Sequence, residues 1–214
     1  MNNNFDAVLW DMDGTLADTG ELHYQTWLAA LNEAGYDMSP QQFKTTFGMN
    51  SRAALRYLYG DAFNDEQMEH IIVQKETIYR LMLPGSMHLL PGVQHWLDWL
   101  RDHHIPQAMA SSAPDENIQV FVDDLGIREY FAALVAGFDM PAKPAPDIFL
   151  LAAEKLGVPP SRCLVMEDSL AGVQAAQSAG MRCIAVTTTN PREALCHACQ
   201  VVDTLEELDP ENIF

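Results

Sequence analysis

The sequence predicts an α/β fold: a mostly parallel sheet covered by helices on both faces, with a helical unit inserted after the first strand. Three observations predict it. Short apolar runs such as FDAVLW (5–10), RCLVMED (162–168) and RCIAVT (182–187) show no polar alternation, as expected of strands buried on both faces. Segments of helical period separate the later runs, the pattern of a sheet with crossover helices. Between about 20 and 83 strand signals stop and only the helical period continues.

In chain order, FDAVLW is the first strand. ELHYQTWLAALNEAG, SPQQFKTTFG, NSRAALRYLYG and NDEQMEHIIVQKETIYRLML then read as helices. Ser39–Pro40 and Asn64–Asp65–Glu66 open the second and fourth: a polar side chain can cap the free amides, and proline or acids suit the first turn. This block, residues 20–85, reads as an inserted cap joined by hinges near 18–22 and 84–90, leaving 1–19 and 86–214 as the core. VQHWLDWLRDHH is a helix with Val93, Trp96, Leu97 and Leu100 on one face. IPQAMAS (105–111) is a strand, about 115–125 a helix, and ALVAG (133–137) a strand. DIFLLAAEKLG and SLAGVQAAQSAG are helices stopped by Gly157 and Gly180, and QVVD (200–203) closes the sheet as an edge strand.

A chain of 214 residues, 48% of them apolar, can bury a core of this size. Its formal charge of −18 excludes nucleic-acid binding driven by the phosphate backbone, which wants a basic face. A small phosphorylated ligand needs only a local positive site and stays allowed. No apolar stretch approaches the roughly 18 residues of a membrane span. The first apolar run follows no basic segment and is cut by Asp11, so the expected location is the cytoplasm, without a membrane partner. Cys163 and Cys183 fall in strand runs and read as core residues. Cys196 and Cys199 form a lone CxxC with no second pair nearby, and read as an ordinary helix face.

Ligands of open α/β sheets bind beyond the carboxyl ends of the strands, so the residues ending each strand are the place to look. The first strand ends in Asp11-Met12-Asp13, the second in Ser111-Ser112, and another in Glu167-Asp168; the loop after the third carries Lys143. Acids, hydroxyls and one lysine on a single rim suit phosphoryl transfer. A carboxylate can be the nucleophile, Mg²⁺ on oxygen ligands can neutralise the anions, and lysine and hydroxyl donors can hold phosphoryl oxygens. A second acid would protonate the leaving oxygen and later deprotonate water. These residues alone leave open which of Asp11 and Asp13 attacks. Ser111 would equally cap the helix after its strand, Lys143 could be a solvated loop lysine, and Asp168-Ser169 is also a good helix start.

The ordered set resembles the motifs of the haloacid dehalogenase-like hydrolase superfamily, in its small-helical-cap subgroup of sugar-phosphate phosphatases and β-phosphoglucomutase. DMDGT (11–15) matches the first motif in full, Ser111 in AMASSAP the second, Lys143 in KPAPDIF the third and EDSLAGVQAAQSAG the fourth. The resemblance covers nearly the whole chain and implies a Rossmann-like core. It implies Asp11 as nucleophile and metal ligand, and Asp13 as general acid/base with its backbone carbonyl toward the metal. It implies phosphoryl contacts from Ser111, the loop at Ser112 and Lys143, and Mg²⁺ binding by Asp168 and Glu167. The second aspartate, absent from the dehalogenase branch, points to phosphate esters. Phosphonate hydrolysis would need a desolvated cap lysine, and the surroundings of Lys44 and Lys75 do not suggest one.

DTGELHYQTW resembles the hinge of β-phosphoglucomutase, where a histidine times acid/base action with cap closure; His23 takes that place. The mutase has a lysine before a cap glycine and an arginine three residues after it. Here Phe47 and Ser51 flank Gly48, and Lys44 and Arg52 lie off register. His23, Lys44, Gly48, Asn50 and Arg52 are therefore the cap candidates for substrate contact, with Met49 beside them. The expected function is a Mg²⁺-dependent monomeric phosphatase of a small phosphorylated metabolite, a sugar phosphate first. A phosphoglucomutase-like mutase and a non-catalytic phosphate-metabolite binder are the alternatives.

Overall fold

The computed structural model describes residues 5–214; residues 1–4, assigned to the core from sequence, lie outside the described residues. Six strands form one sheet: β1 (Ala7–Trp10), β2 (Gln107–Ser111), β3 (Ala133–Ala136), β4 (Cys163–Glu167), β5 (Arg182–Val186) and β6 (Gln200–Val202). Their order is β3-β2-β1-β4-β5-β6 and every pairing is parallel.

The unalternating apolar runs have the expected cause. Val8 and Trp10 of β1 point into one core, with Trp96, Leu97, Leu100, Phe121 and Val122. Ala7 and Leu9 point into the other, with Ile148, Phe149, Ala152 and Val173. The first core is supplied by α5 (Val93–Asp102) and α6 (Asp115–Asp124), the second by α7 (Asp147–Leu156) and α8 (Leu170–Ser178). A strand covered on both faces has no side left for polar residues. Where one does enter, it is paired: the Trp10 indole donates to Gln107 Oε1 at 2.9 Å, and Gln107 donates to the Leu97 carbonyl at 3.2 Å.

Between β1 and α5 run α1 (Gly20–Glu33), α2 (Pro40–Thr46), α3 (Ser51–Tyr59) and α4 (Asp65–Met82). They have a separate apolar cluster that includes Trp27, Leu31, Leu55, Met68, Ile71 and Ile72. Ser39 and Asn64 cap α2 and α4, each in a reciprocal capping box, with Gln42 and Gln67. The chain entering and leaving this block is joined: Ala17 bridges to Leu89, and the Leu90 amide donates to the Leu16 carbonyl at 2.9 Å.

One expectation fails outside the site. Cys196 and Cys199 lie in irregular turns, not on a helix face. After Pro191 the backbone closes i→i+3 turns, Ala194 to Pro191, Leu195 to Arg192 and Ala198 to Leu195, and then enters the edge strand at Gln200 without forming a helix. Cys163 and Cys183 are buried in β4 and β5 as expected. Among the described residues, no helix is long and apolar enough to cross a membrane.

Candidate functional site

Parallel pairing brings the carboxyl ends of β1, β2 and β4 side by side at the centre of the sheet. Asp11 follows β1, its amide tied to the Met166 carbonyl at 3.0 Å. Ser111 ends β2 and Glu167 ends β4, with Asp168 one residue on. These residues, with Asp13, Ser112 and Lys143, line one cleft, whose other wall comes from α1–α4.

Lys143 reaches in from the loop between β3 and α7. Its ammonium pairs with Asp11 and lies 2.7 Å from Glu167 Oε1. Burial works against the lysine's charge, but Asp11 and Glu167 outweigh it and hold its pKa above the ordinary range. It is thus an enclosed cation, not a solvated loop residue. Glu167 also accepts the amides of Asp168 (2.7 Å) and Ser169 (2.6 Å), at the start of α8. Its carboxylate occupies the space where a side chain of Gly172 would stand: a Cβ there would meet Oε1 at 1.6 Å. Ser169, rather than Asp168, caps α8, accepting the Gly172 amide at 2.9 Å. Asp168 is therefore left to the cleft.

Asp11, Glu167 and Asp168 are buried and each offers an oxygen within 4.8 Å of the others. Burial pushes Asp11 up to about 8 against the pull of Lys143, and Glu167 and Asp13 add to the rise. Burial also pushes Asp168 well above the carboxylate range, helped by Glu167 and Asp11. Asp168 Oδ2 is buried without a hydrogen-bond partner. Gly14, at φ +81°, makes room for it, since a Cβ there would lie 2.0 Å away. Clustered carboxylates with one orphaned oxygen are what a divalent cation fits. Such a cation, held by Asp11, Asp168 and Glu167, would keep all three ionised and draw charge from a phosphoryl oxygen.

Asp13 has a different environment. Its Oδ1 accepts the Thr19 hydroxyl at 2.6 Å and faces His23 Nε2 at 3.0 Å. Burial opposes its charge, but His23, Thr19 and Lys75 outweigh burial and hold its carboxyl below the usual value. The side chain is thus held by α1 and the residue before it, through His23 and Thr19, and not by Lys143. Thr19, read from sequence as a hinge residue, positions this carboxylate.

The cap candidates divide. His23, Gly48 and Asn50 line the cleft, with Met49; Lys44 and Arg52 lie outside it. Arg52 reaches Glu69 at 2.5 Å, and Lys44 is exposed in the last turn of α2. Lys75 also corrects the sequence reading. It is 3% exposed and lines the cleft, with its ammonium 3.0 Å from both His23 Nδ1 and Glu76 Oε1. It lies over the rings of Tyr79 and Trp27, 5.2 and 5.7 Å from their centroids. Glu76 in turn accepts from Asn117 of α6 at 2.6 Å, and Asn117 accepts from Arg80 at 2.9 Å. A signal for this was present: Met68, Ile71, Ile72, Lys75, Glu76 and Tyr79 fall at helical spacing on one buried stripe of α4. Phe43 and Phe138 are further cleft residues that sequence reasoning passed over, and Trp27 and Phe47 line the cleft beside them.

A family model described as haloacid dehalogenase-like hydrolase matches residues 5–180. A chloroplastic 5-amino-6-(5-phospho-D-ribitylamino)uracil phosphatase of Arabidopsis thaliana is 30% identical over 94% of the chain; the match spans 55% of that longer protein. Fructose-1-phosphate phosphatase YqaB of Escherichia coli is 31% identical, over 87% of the chain and 98% of that protein. Among solved structures, Rhodobacter sphaeroides CbbY in complex with xylulose-(1,5)bisphosphate superposes with a TM-score of 0.87 and 27% identity, covering 95% of this chain and 96% of CbbY.

Proposed function

Since this chain belongs to the haloacid dehalogenase-like hydrolase family and is a phosphoric monoester hydrolase, we propose that it dephosphorylates a small sugar phosphate through an aspartyl-phosphate on Asp11, with Mg²⁺ as cofactor. The observation carrying this reading is the placement of Asp11. It lines the cleft with the Lys143 ammonium bridging it to Glu167 and with Asp168 in the same carboxylate cluster, while Asp13 occupies a separate environment.

Asp11 attacks phosphorus in line and the ester oxygen leaves on the opposite side. Asp13, carrying a proton when substrate is bound, donates it to that oxygen and takes one back from the water that opens the acyl phosphate; the Thr19 and His23 contacts favour the ionised form it has between the two steps. The Thr19 and His23 contacts hold its carboxyl toward the leaving-group side. Lys143 and the Ser111 hydroxyl bind phosphoryl oxygens and spread their charge. Asp11, Asp168 and Glu167, with the Asp13 carbonyl, would hold the cation. Residues 20–85 act as a cap that excludes bulk water and contacts the leaving group, on a core of 1–19 and 86–214. A cytoplasmic location and a monomeric state are part of this proposal.

Asp11→Asn tests the assignment. With Mg²⁺ and p-nitrophenyl phosphate, the parent should release phosphate, and a deamidation-controlled Asp11→Asn sample should be folded but inactive. Near-normal turnover by that variant would remove Asp11 as nucleophile. Lys44 and Arg52, the candidates for holding a second phosphate, do not line the cleft, which favours the phosphatase reading over the mutase alternative.

A further inference from the structure

We propose that the cleft selects monophosphates of an uncharged sugar whose carbon face packs on an aromatic wall, and that it discriminates against sugars carrying a second phosphate. This deepens the phosphatase reading and rests on it. Away from the carboxylates, the wall contains Trp27, Phe43, Phe47 and Met49, with Phe138 arriving from the sheet side. The rings form a row: His23 to Phe47 at 6.0 Å between centroids, then Phe47 to Phe43 at 5.1 Å. Phe138 packs onto the same apolar cluster as the α1–α4 block, so the two sides of the cleft meet in carbon.

The cations of the cleft are already engaged. Lys143 is held by Asp11 and Glu167, and Lys75 by His23 and Glu76. No arginine lines the cleft among the described residues. Arg52 is turned to Glu69, and its side chain is 45% exposed. Arg80 is turned to Asn117. Uncharged polar groups are present: Thr46, Ser51 and Asn50 line the cleft. Asn50 spends its Oδ1 on the amides of Arg52 and Ala53, which leaves its NH₂ to meet a hydroxyl.

These facts select a ligand class. A second phosphate carries about −1.5 to −2 charges at neutral pH. Against this wall it would lose water and gain no unpaired cation, with Glu76 and Asp13 adding repulsion. A sugar ring keeps hydroxyls for Asn50 and Ser51, and its C–H face suits flat aromatic surfaces.

A matched pair tests this: fructose 1-phosphate and fructose 1,6-bisphosphate, each measured as substrate and as competitor of p-nitrophenyl phosphate, with purified full-length protein and Mg²⁺. The monophosphate should bind and turn over better by roughly tenfold or more. Phe47→Lys should shrink that ratio by roughly tenfold, mainly through KM and the inhibition constant of the bisphosphate. Equal or better binding of the bisphosphate by the parent overturns the inference while leaving the phosphatase reading intact. So does a monophosphate that fails to compete, or a ratio unmoved by Phe47→Lys. No Mg²⁺-dependent hydrolysis of any ester, p-nitrophenyl phosphate included, overturns the phosphatase reading and this inference with it.

Discussion

The ammonium of Lys75 lies 3.0 Å from Nδ1 of His23, at the junction between α4 and α1. An ammonium only donates, so Nδ1 accepts and the ring proton sits on Nε2, aimed at Asp13 Oδ1 3.0 Å away. Lys75 therefore sets the tautomer that orients the proposed acid/base, although it touches neither Asp13 nor the floor of the cleft by hydrogen bond.

Lys75→Met should lower kcat by about 10–100-fold, with a smaller change in KM, because the tautomer is no longer fixed. It should also cost about 3–5 kcal/mol in urea unfolding, since the buried Glu76 loses its cation. Adding Glu76→Gln should recover much of that stability without restoring kcat. A double variant no more stable than the single one would show that the ion pair is not the source of the loss.

Chelation should abolish turnover and lower Tm, and returning Mg²⁺ should raise Tm, by about 2.7 kcal/mol of stability at a hundredfold excess over Kd. Asp168→Asn should remove the Mg²⁺-dependent rise. Without metal the sign differs: this variant should be at least as stable as the parent, because a buried carboxylate beside Glu167 and Asp11 is no longer forced on the fold. Equal Mg²⁺ shifts in parent and variant would count against Asp168 as a ligand.

Gly172→Ala should be destabilising although alanine favours helices by about 1 kcal/mol over glycine. Its Cβ would meet Glu167 Oε1 at 1.6 Å and displace a carboxylate held by Lys143 and two backbone amides. Turnover should fall with stability. Thermal melts and p-nitrophenyl phosphate kinetics check both, and a stabilised, active variant would disprove the packing argument.

Burial pushes the Cys163 thiol up to about 11 and Cys183 well above its usual value. Cys196 is exposed in its turn. Iodoacetamide at pH 8 should therefore label the exposed Cys196 and Cys199 and leave Cys163 and Cys183 unlabelled until the protein is unfolded, as read by peptide mass spectrometry. Early labelling of Cys163 in folded protein would contradict its placement in β4.

Much of the fold was legible because its signals are local. The apolar run of β1, the caps at Ser39 and Asn64, and the stops at Gly157 and Gly180 all act within a few residues. The turns at Cys196–Cys199 were misread because a short stretch between Pro191 and an edge strand carries weak periodicity. Lys75 was misjudged for another reason. Nothing in its immediate neighbours suggested a desolvated lysine, while its place on the stripe from Met68 to Tyr79 points to burial, and packing against α1 decides it.

By itself the sequence determined the order of the α/β elements, the family, and the rim on which Asp11, Asp13, Ser111, Lys143, Glu167 and Asp168 gather. The order and the rim follow from period, capping and the rule that parallel strands present their carboxyl ends together, and the family from the resemblance of the four ordered motifs. Tertiary structure alone decided that Asp13 turns to Thr19 and His23 while Asp11 faces Lys143. It also decided that Lys75 enters the cleft and that Lys44 and Arg52 do not. The reason is physical: a side chain's partners across 52 or 132 positions depend on how helices dock on a sheet, and no local pattern encodes that docking.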